Sequence, residues 1–221
     1  MAPQRKTEIL VPLLRQYLGT TFRRILAVGC GTGLEAVRLS EAFKTEVIGI
    51  DTNPSSFDPQ AISRVELRQG DATRLDFPDR YFDLVYCFHT LEHIPEYARA
   101  LSEMARVLTD GGGGFIGTPN RSRWIGYIGS ETASWQDKII WNLEDWHYRL
   151  RGRFRNEYGA HAGFNSSEVR MELEKVFPET EEITKAYYLA QYPKGAGLIK
   201  ALDSLGVGKL LFPAIYFIGK K

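Results

Sequence analysis

The chain is poor in cysteine, carries no excess of charge of either sign, and has no long apolar run. Its two cysteines, Cys30 and Cys87, are too few for a disulfide framework and lack metal-type spacing, which suits a reducing compartment. Lys and Arg total 28 against 27 for Asp and Glu, so no global charge steers the protein onto nucleic acid, and no nucleic-acid partner is expected. The opening stretch, MAPQRKTEILVPLLRQYLG, has its apolar positions interrupted by Pro12, Arg15 and Gln16. It therefore reads as an N-terminal amphipathic helix within residues 1–20 and not as a signal-peptide core. The apolar run Leu210 to Ile218 contains Pro213 and is far shorter than a membrane span. A soluble, cytoplasmic protein without integral membrane association is the expectation, with its oligomeric state left open.

What is present is an alternation of strand and helix patterns across 221 residues, a length that suits one α/β domain over 1–221. Strands are expected at Ile25 to Val28, Glu46 to Ile50, Val65 to Arg68 and Phe82 to Cys87, with a helix at Leu34 to Phe43 and a partly helical Pro54 to Ser63. Leu101, Met104, Ala105 and Leu108 repeat at helical spacing within Pro95 to Leu108. Gly111 to Gly114 are expected to stop that helix, and Phe115 to Gly117 to begin a fifth strand. Strands joined by helical crossovers make a doubly wound, mostly parallel sheet, whose ligands bind beyond the carboxyl ends of the strands. Farther on, Ser166 or Ser167 can cap a helix to about Phe177, Glu182 to Tyr187 fits a strand, and Ala214 to Gly219 fits another.

The stretch Ile25-Leu26-Ala27-Val28-Gly29-Cys30-Gly31-Thr32-Gly33 runs from a buried-type strand into three glycines at alternate positions. Glycine permits the sharp strand-to-helix bend and a close ligand approach, as several nucleotide cofactors require. A dinucleotide fingerprint wants its third glycine one place later, at Leu34. Asp51, with Thr52 after it, ends the second strand, where a carboxylate can accept from two ribose hydroxyls. Asp71, followed by Ala72, comes just after the third strand, where it can accept from an adenine amino group.

In order, ILAVGCGTG, VIGIDTN, GDATRLDF, FDLVYCFHTLEHI and ARVLTDGGGGFIGTPN closely resemble the class I S-adenosylmethionine-dependent methyltransferases, in their small-molecule, type 11-like branch. The resemblance spans roughly residues 20 to 120. It implies a Rossmann-like seven-stranded sheet in the order 3-2-1-4-5-7-6 with the last strand antiparallel, and S-adenosylmethionine as cofactor with S-adenosylhomocysteine as product. It also implies that Gly29, Cys30, Gly31 and Gly33 lie along the methionine part, that Asp51 and Thr52 hold the ribose, that Asp71 and Ala72 read the adenine, and that Cys87 lines the methionine end. In relatives an acid at the position of Ala27 supports the methionine end. Its absence here is expected to weaken cofactor binding without abolishing the site, and Ala27→Asp to tighten it.

His89-Thr90-Leu91-Glu92-His93 follows the fourth strand, at the cofactor end of the sheet. His93 is the leading candidate for a base or substrate-orienting group, with His89 beside it and a packing role as the alternative. Some relatives hold a divalent metal with an acid-x-x-Glu-His arrangement and a later histidine. Here His89 replaces the first acid, which leaves Glu92, His93 and His161 as weak metal candidates. All four tryptophans fall between Arg121 and Tyr158, in a helical insertion over 121–165 after the fifth strand. Ile139, Leu143, Trp146 and Leu150 share one face of its helix, which either covers an apolar or aromatic acceptor or packs on itself. Arg149, Arg151, Arg153 and Arg155 beyond it read first as a solvated basic loop, with Glu157 and Asp145 nearby, and second as a contact for an anionic group or a lipid headgroup, while global charge gives a membrane-surface role no support. Residues 186–212 are a candidate lid segment. The expected activity is methyl transfer to an O, N or C atom of a small acceptor. The alternative is a methyltransferase-like protein that binds cofactor or a partner without catalysis, and a nicotinamide-dependent reductase is disfavoured by Leu34 and by the Gly-Asp71-Ala72 element.

Overall fold

Successive side chains of a strand point to opposite faces of its sheet, and here both faces are covered. In the computed structural model, residues 3–127, 133–158 and 161–221 are described. Parts of the expected insertion, residues 128–132 and 159–160, and the first two residues of the expected N-terminal helix lie outside them. Strands β1 (Arg24–Val28), β2 (Glu46–Asp51), β3 (Glu66–Gln69), β4 (Phe82–Phe88), β5 (Leu108–Pro119), β6 (Glu179–Glu182) and β7 (Ala214–Lys220) form one sheet in the order β3-β2-β1-β4-β5-β7-β6. The first five run parallel, and β7 is antiparallel to both of its neighbours.

The described helices are α1 (Pro3–Leu18), α2 (Leu34–Phe43), α3 (Pro59–Ile62), α4 (Tyr97–Val107), α5 (Trp135–Leu150), α6 (Ser166–Glu174), α7 (Thr184–Gln191), α8 (Ala196–Ser204) and α9 (Gly208–Leu211). On one face of the sheet Leu26, Val28, Ile48, Val85 and Cys87 pack with Leu101 and Met104 of α4 and Leu173 of α6. On the other, Ile25, Ala27, Val47, Leu84 and Tyr86 pack with Leu10 and Leu14 of α1, Leu39 of α2 and Tyr187 of α7. The strands β1, β2, β4, β5 and β7 thus contribute residues to two cores, the arrangement that a doubly wound fold needs.

Three sequence expectations are corrected. The glycines at 111–114 do not stop α4, which ends at Val107 with Leu108 extended as its cap; the strand starts at Leu108 and passes through them. Two of them are paired residues of the sheet, Gly113 with Leu84 and Gly114 with Val85, while Gly111 and Gly112 lie where the register shifts. A Cβ on Gly113 would lie 2.5 Å from Leu18, and one on Gly114 2.9 Å from Phe177, so these two positions are small because Leu18 of α1 and Phe177, in the turn after α6, press on them. The expected strand over Glu182 to Tyr187 is displaced: the strand is Glu179–Glu182, and Tyr187 belongs to α7, where helical spacing buries it and Tyr188 together. The cap of α6 is Asn165, one residue earlier than expected, and its N–H donates to Glu168 Oε2 at 2.9 Å.

Candidate active site

The glycine turn joins the carboxyl end of β1 to α2. Gly29, Gly31 and Gly33 all have left-handed backbones, with φ of 65°, 52° and 82°. A Cβ on Gly29 would fall 2.1 Å from Thr90 Oγ1 and one on Gly33 2.5 Å from Leu67, whereas one on Gly31 would meet nothing within 4 Å. The first and last glycines are fixed by packing as well as by backbone. The middle one leaves an open approach for a ligand.

Asp51 ends β2 and is tied to this turn. Its Oδ2 accepts from the N–H of Gly31 at 2.9 Å and its Oδ1 from that of Asn53 at 3.0 Å. Each carboxylate oxygen can accept a second bond, so Asp51 is oriented and still able to receive two hydroxyls. Asp71 follows β3, and its Oδ1 accepts from both the N–H and the hydroxyl of Thr73, each at 2.8 Å, which holds its pKa below the ordinary carboxylate value. Oδ2 has no described partner and remains for a ligand.

Between these acids and β4 lies a cavity of about 300 Å³. Of the expected site residues, Gly29, Asp51, Thr52, Asp71, Ala72, His89 and His93 line it. Gly31 and Gly33 shape the turn without lining it. The two cysteines stay out of the cavity wall. Cys30 packs over β2, where a Cβ on Gly49 would come within 2.9 Å of its Sγ, and Cys87 is fully buried in the core. Burial, with Asp51 nearby, pushes the Cys30 thiol up to about 12, and burial raises Cys87 as well. Thr90 and Ile94 line the cavity too, and sequence reasoning had passed over them. Thr90 was legible only through the space that Gly29 leaves for it, which needs the fold.

His89, Thr90 and His93 of the His89–His93 segment line one side of this cavity. His89 has φ of 51°, donates its backbone N–H to Gly117 O at 2.7 Å and stacks on Phe88 with ring centres 4.4 Å apart. His93 meets His161 edge to face at 4.9 Å, and partial burial together with that neighbour lowers its pKa. Glu92 is turned into the protein, where its Oε2 accepts from Thr118 at 3.1 Å, and burial pushes its carboxyl up to about 7. His93 Nε2 lies 4.0 Å from Glu92 Oε1. Among the described residues no three His, Cys, Asp or Glu side chains gather as a metal site requires. On the opposite face of the sheet Tyr86, the register partner of Ala27 on β4, donates to Glu35 Oε1 at 2.6 Å, in the first turn of α2.

The expected cover and lid are placed differently from one another. α5 follows β5 and is held to the body through Arg123 and Asp145, paired at 2.8 Å. The segment from residue 186 begins inside the core, with Tyr187 and Tyr188 buried against Tyr216.

Comparison with known proteins agrees with this geometry. Residues 26–116 match the family model described as a methyltransferase domain. The chain is 39% identical over 97 residues to a demethylmenaquinone methyltransferase of Deinococcus radiodurans, a match covering 41% of this chain and 40% of that protein. It is 39% identical over 102 residues to a phosphatidylethanolamine N-methyltransferase of Cereibacter sphaeroides, covering 40% and 47%. The chain thus spans less than half the length of these curated relatives. Among solved structures, the phosphoethanolamine N-methyltransferase 2 of Haemonchus contortus, determined with phosphomonomethylethanolamine and S-adenosylhomocysteine, superimposes with a TM-score of 0.61 at 19% identity, covering 97% of this chain and 52% of that one. That likeness is one of fold and extends over β6 and β7, beyond the family match. Residues 26–116, which hold the glycine turn, Asp51, Asp71 and the His89–His93 segment, are thus similar to a methyltransferase domain.

Proposed function

We propose that this protein transfers a methyl group from S-adenosylmethionine to an O, N or C atom of a small apolar or aromatic acceptor. The observation that carries the reading is the pairing of two oriented carboxylates, Asp51 and Asp71, around one cavity that opens on the Gly29–Gly33 turn. The donor set fits an adenosine: Asp51 can accept from both ribose hydroxyls, Asp71 Oδ2 from the adenine amino group, and the open side of Gly31 gives backbone access to the amino-acid end. When bound, the cofactor supplies an electrophilic sulfonium methyl group. The protein's part is to bind the donor, hold the acceptor in line and keep water out.

Glu35 takes the place of the acid missing at position 27, because Tyr86 orients its carboxylate at the start of α2, beside the turn. His93 serves as the base or orienting group for the acceptor. Its lowered pKa keeps the ring neutral, and so able to accept a proton, at neutral pH. His89 lines the same cavity. The relatives named for demethylmenaquinone and phosphatidylethanolamine support an apolar or lipid acceptor.

Purified protein incubated with methyl-labelled S-adenosylmethionine and a panel of quinols, phenols and aminolipids tests this. Label is expected in an apolar acceptor. Cofactor binding with no transfer to any member of the panel would speak for the binding protein without catalysis.

A further inference from the structure

Helix α5 is mounted with its polar side inward. Asp145, its buried residue, is bonded to Arg123. Asn142 accepts from the N–H of Gly126 at 2.7 Å and donates back to its carbonyl at 3.1 Å. Arg149 donates to the carbonyls of Arg121 and Arg123 and lays its guanidinium 3.9 Å from the centre of Phe154. At 100° per residue, Trp135, Ile139, Leu143, Trp146 and Leu150 fall within an arc of about 80°. All five face solvent, with exposures of 78%, 59%, 64%, 42% and 85%. A surface helix ordinarily buries such a stripe and exposes its polar side. A continuous apolar stripe over four turns, held outward by hydrogen bonds and an ion pair, is a surface built to meet something.

The charge at its border says what. Arg151, Arg153 and Arg155 follow α5 directly and are all exposed, and none makes an ion pair among the described residues. Arg151 and Arg153 join Ile140, Leu143 and His147 along a groove of about 600 Å³ on the helix. The acids nearby do not cancel them: Asp145 is spent on Arg123, which leaves Glu144 in the groove and Glu157 beyond it. Tryptophan and branched aliphatic side chains beside unpaired arginines match the two layers of an anionic bilayer surface, acyl boundary and headgroup. The near-neutral total charge of the chain conceals this local excess.

We infer that α5 and residues 151–155 dock the protein on an anionic lipid bilayer, with the stripe entering the headgroup boundary and the three arginines pairing with anionic headgroups. This stands apart from methyl transfer and is measured without it. Co-sedimentation with phosphatidylcholine vesicles, with and without phosphatidylglycerol, reads it out. Binding is expected only with phosphatidylglycerol and to weaken as salt rises. Leu143→Glu and Trp146→Glu are each expected to lower the bound fraction about tenfold or more, since either puts a charge in the inserted stripe. Arg151→Glu with Arg153→Glu should remove the preference for phosphatidylglycerol. Unchanged circular dichroism controls for folding, because these side chains are exposed. Absence of binding to phosphatidylglycerol vesicles, or binding that survives Leu143→Glu combined with Trp146→Glu, overturns the inference. So does a dimer in solution that these variants dissociate while the wild type ignores vesicles, since the stripe would then be a contact between copies.

Discussion

At the residue scale, the site is set by where carboxylates spend their bonds. Glu35 and Ala27 form a linked case. If Glu35 supports the cofactor, Glu35→Gln should weaken S-adenosylmethionine binding by about tenfold or more, the loss of one charge-assisted bond. With Glu35 in that role, Ala27→Asp should add little to the wild type, against the sequence expectation that it tightens binding, and should recover affinity in the Glu35→Gln background, as fluorescence titration of the four proteins would show. Glu92 makes a prediction about stability. Its folded-state pKa of about 7 lies above the ordinary 4.5, so between those values the folded chain keeps a proton that the unfolded chain has released. Stability therefore falls as pH rises through that window and levels off above it, by about 1.4 kcal/mol per unit of pH and about 3 to 4 kcal/mol in all. Glu92→Gln should show no such fall: urea denaturation at pH 5 and pH 8 should find the variant gaining on the wild type at the higher pH, and an equal difference at both would rule the account out. For His93, burial and His161 place the acid limb of kcat/KM below the ordinary histidine value of 6.5, and His93→Gln should abolish that limb.

At the scale of elements, the sequence showed type more faithfully than boundary. β1, β2, β4 and β7 were legible because buried parallel and central strands are continuous apolar runs. The glycines of β5 and the placement of α7 were not, because both depend on what lies opposite. Gly113 and Gly114 read as breakers until Leu18 and Phe177 are seen pressing on them. Tyr187 reads equally well as strand or helix until the core beneath it is known. In the same way Ile139, Leu143, Trp146 and Leu150 declared a helix face but not which way it looks. That depended on Arg123 and Asp145, 22 residues apart in sequence. Arg123→Ala leaves Asp145 buried without its cation and should cost about 3 to 5 kcal/mol, felt first in α5. Hydrogen exchange should show α5 amides losing protection while β1 and β4 keep theirs. Uniform loss across the sheet would show that the clamp belongs to the global fold.

At the scale of the whole molecule, the ordered motifs carried the cofactor end and the sheet order, while the acceptor end stayed hidden. The reason is physical. The proposed cofactor contacts are a backbone turn and strand-end acids at fixed local spacing, whereas His93 meets His161 and α5 is held by Arg123 only across long stretches of chain. No described helix is long and apolar enough to cross a membrane. The central claim is that the cavity between Asp51 and Asp71 binds S-adenosylmethionine. Isothermal titration calorimetry with S-adenosylmethionine, S-adenosylhomocysteine and NADH, on the wild type and on Asp51→Ala, tests it most directly. Heats are predicted for the first two ligands alone, with affinity falling about tenfold or more in Asp51→Ala; no binding of either ligand, binding of NADH instead, or binding that ignores Asp51 would contradict it.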